Sequence, residues 1–247
     1  MSVTKSKLSY ALVVFTWLFF LLGAALVFIL ILSILFISNT TSTFLGGLQV
    51  IQQAPYLLIY VEIASAGLFP LVYSLYKKEP PRVYGIQKKN SVLSIIISIS
   101  LLMILDVVES LVTGNPIFSM GESYNLPLGF GVFYAALGLF AYGPLEVFFI
   151  FWLIVKTDDL FKKKILFRID LDANKSIFIT KGTLISCILF GLIHVITTQY
   201  FPSFFLIMLV FLLLGIIFTN LENSIGPMLA WSIYNNQVLS VVTSCLF

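Results

Sequence analysis

Long apolar stretches with only short polar breaks between them fill this chain, at residues 8–38, 54–76, 91–113, 129–155, 182–199, 203–220 and 225–246. At about 1.5 Å of rise per residue, each approaches or exceeds the ~30 Å hydrocarbon thickness of a bilayer. Hydrocarbon offers no water to backbone N–H and C=O groups, so runs of this kind fold as helices that satisfy those groups internally. The expectation is an all-α fold, a polytopic integral membrane bundle of about seven transmembrane helices. Charged residues are 10% of the 247, against about 25% in a soluble domain. No separate soluble domain is expected, and residues 1–247 read as a single membrane domain. The run at 8–38 is too long for a signal-peptide core and no Ala-x-Ala-like cleavage site follows it, so it reads as a retained first span. The last two runs are separated only by Asn220 to Ser224 and also fit a hairpin or re-entrant pair.

The 14 Lys and Arg residues fall in three places. Lys5 and Lys7 precede the first run; Lys77, Lys78, Arg82, Lys88 and Lys89 lie between the second and third; the rest lie between Lys156 and Lys181. Segments 39–53, 114–129 and 200–203 have none. By the positive-inside rule the N-terminus and both basic loops face the cytoplasm. Anionic headgroups of the lipid bilayer suffice as partners for these charges, and no nucleic acid is needed. Pro80, Pro81 and Gly85 break helix in the first basic loop. Residues 158–175, with their lysine triplet, are expected to form a short amphipathic helix at the interface. Cys187 and Cys245 lack CxxC spacing, and a single histidine cannot build a His-rich zinc site, so neither metal nor other cofactor is expected.

That histidine, His194, lies inside an apolar run, and Glu146 interrupts another. Glu146 is ten residues from Lys156, hence about 15 Å deep. His194 is 13 residues from Lys181 and Asn235 is 13 from Glu222, hence about 20 Å deep. Polar residues in lipid face the bundle interior and mark functional sites or interhelical clamps. A carboxylate beside an imidazole can hold and deprotonate water for attack on an amide carbonyl, while an Asn amide can donate to the oxyanion that forms. Glu62, Asp106 and Glu109 are further acids within or at the edge of apolar runs. Asp106 and Glu109 lie about 24 to 28 Å from Asn90 and read as partly solvated helix ends or as the lining of a water-filled path.

The segment Phe190-Gly-Leu-Ile-His194 resembles the FxxxH motif of the CPBP family of intramembrane proteases, which includes CAAX endopeptidases and bacteriocin self-immunity proteins. Pro144-Leu-Glu146 is similar to the opening of that family's EExxxR motif. Residues 223–235, ending Trp231-Ser-Ile-Tyr-Asn235, resemble its terminal HxxxN motif, and 77–90 resemble its basic loop. The resemblance covers residues 77–240, a CPBP-like protease core. It implies a glutamate-type intramembrane endopeptidase acting near the cytoplasmic face on a membrane-anchored or prenylated peptide. Glu146 and His194 would activate the water, and Asn235, with Trp231 at the family's His position, would serve the oxyanion. The sequence departs from the family pattern at Val147, Phe151 and Trp231, where the family has Glu, Arg and His. An inactive homologue acting as a membrane scaffold or binding a protein partner, and a proton or cation transporter using Glu62, Asp106 and Glu109, stay open beside it.

Overall fold

The structure, a computed structural model, describes Tyr10, Ala11, Val14, Phe15 and Leu18, then residues 63–114, 117, 128–172, 175–198, 201–235 and 238. The chain divides into two compact units, Met1–Tyr73 and Ser74–Phe247. In the first, the described residues are helical, and the π-helical stretch Ile63–Leu68 leads into helix α1, Phe69–Tyr76, whose last three residues belong to the second unit. Most of the run at 8–38, the first part of that at 54–76, and Glu62 lie outside the described residues.

The second unit contains α2 (Ser91–Thr113), α3 (Leu128–Leu137), α4 (Gly143–Leu160), strands β1 (Ile165–Asp172) and β2 (Lys175–Thr180), α5 (Lys181–Thr198), α6 (Phe201–Leu221) and α7 (Ile225–Asn235). The chain is mostly helical. Among the described residues three helical stretches are long and apolar enough to cross a membrane, Ser91–Val112, Gly129–Leu160 and Phe204–Leu221.

Helix α4 is the centre. It packs against α5, α6 and α7, and Val147 to Trp152 are almost wholly buried. A helix apolar on every side is one surrounded on every side. Helix α2 is peripheral and one-sided. Ser94, Ser98, Leu102 and Asp106, spaced by four, are each at most 1% exposed, whereas Val92, Ile96, Ile104 and Val108 face outward. Its inward stripe is therefore the more polar one, the reverse of a water-soluble helix and the pattern expected where small polar residues let helices approach in lipid. That stripe meets α7. A Cβ on Gly226 would collide with the backbone and side chain of Ser94, so only glycine permits this approach.

Two expectations are corrected here. Residues 165–172 and 175–180 form an antiparallel β-strand pair, with Phe167 opposite Ile179 and Ile169 opposite Ile177, in place of the interfacial helix expected over 158–175 in an all-α fold. The reason is the period: Phe167, Ile169 and Leu171 alternate with Arg168, Asp170 and Asp172, a strand pattern that the lysine triplet before it obscures. The Asn220 side chain then pins the strand pair to α6, accepting from the Phe178 N–H at 3.1 Å and donating to its carbonyl at 3.0 Å. Secondly, Asp106 is not a solvated helix end. It is buried because α7 packs along α2, which counting residues against a lipid boundary cannot register.

At the end of the unit where both basic loops lie, the loop 79–90 is stitched to the turn between α6 and α7. The fully buried Asn223 donates to the carbonyls of Gln87 and Lys89 at 2.7 and 2.8 Å. Gln87 returns a bond to the Glu222 carbonyl at 2.7 Å, and the Ser224 N–H donates to the Gly85 carbonyl at 3.0 Å. Gly85 sits at φ 71°, a left-handed conformation that glycine adopts without steric cost. Next to this seam, Glu79 pairs with Lys156 of α4 and accepts from the Tyr84 hydroxyl. Burial alone raises the Glu79 carboxyl, but the hydrogen bonds from Lys156 and Tyr84 and the Lys156 charge outweigh it, leaving it below its ordinary value. Burial and the bond to Glu79 push the Tyr84 hydroxyl up.

Candidate functional site

The placement of Glu146 begins with Pro144. Proline has no N–H to give the carbonyl four residues back, and its ring crowds that carbonyl. The helix accommodates it with a π-helical turn, Gly138–Tyr142, in which the Gly143 N–H reaches the Gly138 carbonyl. Turns of this type widen a helix by one residue and recur at functional sites. Glu146 follows within the first turn of α4 and is 3% exposed. Close packing of α4 on α7 occurs one turn earlier, where a Cβ on Gly143 would overlap Ser232.

Trp231 and Asn235, four residues apart, share a face of α7. The indole Nε1–H of Trp231 donates to Glu146 Oε2 at 2.6 Å, and the Asn235 amide Nδ2 donates to the same oxygen at 3.1 Å. Three of the four residues singled out from the sequence thus meet at one atom. Ser232, next to Trp231, does not take part; its hydroxyl donates to the Met228 carbonyl at 2.6 Å. The donors serve the carboxylate itself, not an open position beside it.

An aromatic chain backs the cluster. The Trp231 ring meets Phe211 edge-on at 4.8 Å, Phe211 meets Phe190 at 4.6 Å, and Phe190 lies 6.3 Å from Phe149. Those rings tie α7, α6, α5 and α4 together around Glu146. His194 stands on α5 one helical turn beyond Phe190; its side chain is outside the described set. Helix α4 continues past Lys156 to Leu160, so Glu146 is 14 residues from the helix end, about 21 Å. The hydrogen bond from Asn235 places Glu146 and Asn235 in one layer directly.

Val147 and Phe151 are fully buried, and Phe151 stacks on Phe218 at 4.2 Å with the rings within 6° of parallel. These positions are filled by packing that leaves no place for an ion pair. Among the described residues no group of three His, Cys, Asp or Glu gathers as a metal site. Sequence reasoning places Asp106 away from the core, although its spacing with Ser94 and Ser98 on an apolar helix is the available signal.

Fold and site together define a helical protein with membrane-length helices and a buried carboxylate, indole and amide joined across α4 and α7. No protein-family model, curated protein or solved structure matches the chain.

Proposed function

We propose that the chain is a multi-pass integral membrane protein with about seven crossings, its N-terminus and basic loops cytoplasmic, and that Glu146 is the base of a divergent CPBP-type intramembrane endopeptidase. The observation that supports this most is the convergence of Trp231 and Asn235 on one oxygen of a buried Glu146. In this reading Glu146, with His194, takes a proton from water as the water oxygen bonds to the scissile carbonyl carbon and the carbonyl π pair moves onto oxygen. Protonation removes the charge that held the two N–H donors, which then turn to the new oxyanion. The proton passes from Glu146 to the leaving nitrogen as the C–N bond breaks. The substrate class is a membrane-anchored or prenylated peptide.

A second reading, a non-catalytic scaffold, draws on the apolar packing at Val147 and Phe151; the same hydrogen bonds then clamp α4 to α7. Purified protein in liposomes with a membrane-anchored reporter or a prenylated CAAX peptide separates them. The protease reading expects cleavage by wild type that is lost in Glu146→Gln and in His194→Ala. Cleavage that survives both changes sinks the site. No cleavage by wild type, with partner binding retained in Glu146→Gln, favours the scaffold.

A further inference from the structure

A second site lies at the other end of α4. The cavity there has a volume of about 410 Å³ and is lined by Arg82, Val83, Asp159, Lys163, Phe218 and Glu222 among others, within the roughly 300–1,000 Å³ typical of small-molecule sites. It is separate from Glu146, because Val147 to Trp152 between the two are packed and almost wholly buried.

The walls are pre-formed. The loop carrying Arg82 is held to the turn carrying Glu222 by the Asn223, Gln87 and Gly85 hydrogen bonds. The wall carrying Lys163 is fixed by its N–H, which donates to the Asp158 carbonyl at 2.6 Å. Lys163 and Glu222 both hold left-handed backbones, φ 47° and 52°, a strained state for residues with a Cβ that the surroundings must enforce. Rigid walls then present side chains of both signs to one space. Arg82, Lys163, Asp159 and Glu222 are all exposed, and none of them forms an ion pair within the described residues, the Lys163 ammonium lying 5.6 Å from the centre of the Phe178 ring. A purely anionic ligand would meet the carboxylates, and a purely cationic one would meet Arg82 and Lys163.

The geometry points to a zwitterion of the phosphoethanolamine class, its phosphate on Arg82 and Lys163 and its primary ammonium on Asp159 and Glu222. A guanidinium and an ammonium suit phosphate oxygens. A primary ammonium brings three N–H donors for carboxylates, whereas a choline head is recognised by an aromatic cage. Here Phe218 is the one aromatic wall residue among those described, and its ring is stacked on Phe151. Val83, 42% exposed, offers an apolar margin for the glycerol end of a lipid. The headgroup of phosphatidylethanolamine and free phosphoethanolamine share this chemistry.

The test uses the full chain purified in a mild detergent. Dioctanoyl phosphatidylethanolamine, phosphatidylcholine and phosphatidylglycerol are added in turn, and retained lipid is read by native mass spectrometry. The expected result is retention of the ethanolamine lipid at least about tenfold above the other two, falling at least about tenfold in Arg82→Ala and in Glu222→Gln. It should be unchanged in Arg168→Ala, on the strand pair outside the cavity. Competition by free phosphoethanolamine identifies a soluble zwitterion as the ligand; failure to compete with lipid still retained identifies the membrane lipid. Glu222→Lys keeps the test sound should Arg82→Ala not fold, because it should move the preference towards phosphatidylglycerol. Equal retention of the three lipids, or ethanolamine-lipid retention unmoved by the cavity variants, overturns the assignment.

Discussion

The bond from Trp231 to Glu146 can be measured as a coupling energy. Trp231→Phe removes the Nε1–H but keeps a ring against Phe211. A hydrogen bond to a charged acceptor contributes about 1.5–3 kcal/mol, and one to a neutral acceptor about 0.5–1.5 kcal/mol. At 2.6 Å, with the acceptor residue 3% exposed, the charged value applies to an ionised Glu146. Loss of part of the indole adds about 1 kcal/mol of packing, so Trp231→Phe should destabilise by about 2.5–4 kcal/mol. In a Glu146→Leu background the acceptor is gone and the packing loss alone remains. The cycle of Trp231→Phe with Glu146→Leu should therefore give a coupling of about 1.5–3 kcal/mol. Asn235 loses its partner equally in both arms that carry Glu146→Leu, so its contribution cancels. Reversible unfolding in mixed micelles with increasing denaturing detergent supplies the four stabilities. Thr219→Ala, whose hydroxyl donates within α6 to the Gly215 carbonyl at 2.9 Å, serves as the control partner and should couple to Glu146→Leu by less than about 0.5 kcal/mol. A Trp231 coupling as small as that control, with all variants folded, would refute the site as built here.

The Glu79 cluster predicts a pH dependence. The folded-state carboxyl lies below its ordinary 4.5, so its contribution is present above that value and lost as pH falls through the folded one. Melting temperatures of wild type and Glu79→Gln should diverge near neutral pH and converge in acid; parallel curves would contradict it. The Tyr84 hydroxyl, raised above its ordinary 10.0, works in the opposite sense, and its contribution fades only as pH rises past that value. Gly226→Ala should cost about 1–3 kcal/mol through overlap with Ser94. Gly129→Ala, with nothing within 4 Å of the added methyl, should stabilise by about 0.4–1 kcal/mol, and both are read from unfolding midpoints. Should the endopeptidase reading hold, Trp231→His restores the family's side chain at that position. Cleavage of the reporter should then be retained, because an imidazole N–H replaces the indole N–H, whereas Trp231→Phe should lower it by the factor of about 10²–10³ that one oxyanion donor supplies.

Much of the second unit was legible because lipid-length apolar runs leave the backbone few alternatives. The parts that were not legible share a cause. Depth counting treats each helix as a separate rod in a uniform slab, so it places Asp106 at a wet end when a neighbouring helix covers it. It also starts the α4 ruler at Lys156, which is held by Glu79 four residues inside the helix. The strand pair escapes notice because its period-two pattern follows directly on a lysine triplet. Trp231 and Asn235 were legible as a pair from their spacing, but their shared target was not. Which oxygen they reach depends on the azimuth of Glu146.

That azimuth is set by Pro144. An extra residue in one turn advances everything after it by roughly 100° around the helix axis, since each residue of an α-helix turns through that angle. Glu146 lies on the far side of the wide turn from α3, so its direction relative to α3 differs from what regular α-helical counting gives. The whole of α4 shares this rotation, which explains why Gly143, and not a larger residue, meets Ser232 one turn before Glu146. Close approach at Gly143 brings α7 near enough for a short indole and a short amide to reach a glutamate one turn on. The contact at Gly143, the missing donor at Pro144 and the carboxylate at Glu146 are therefore consecutive parts of one device for holding a polar group between two apolar helices.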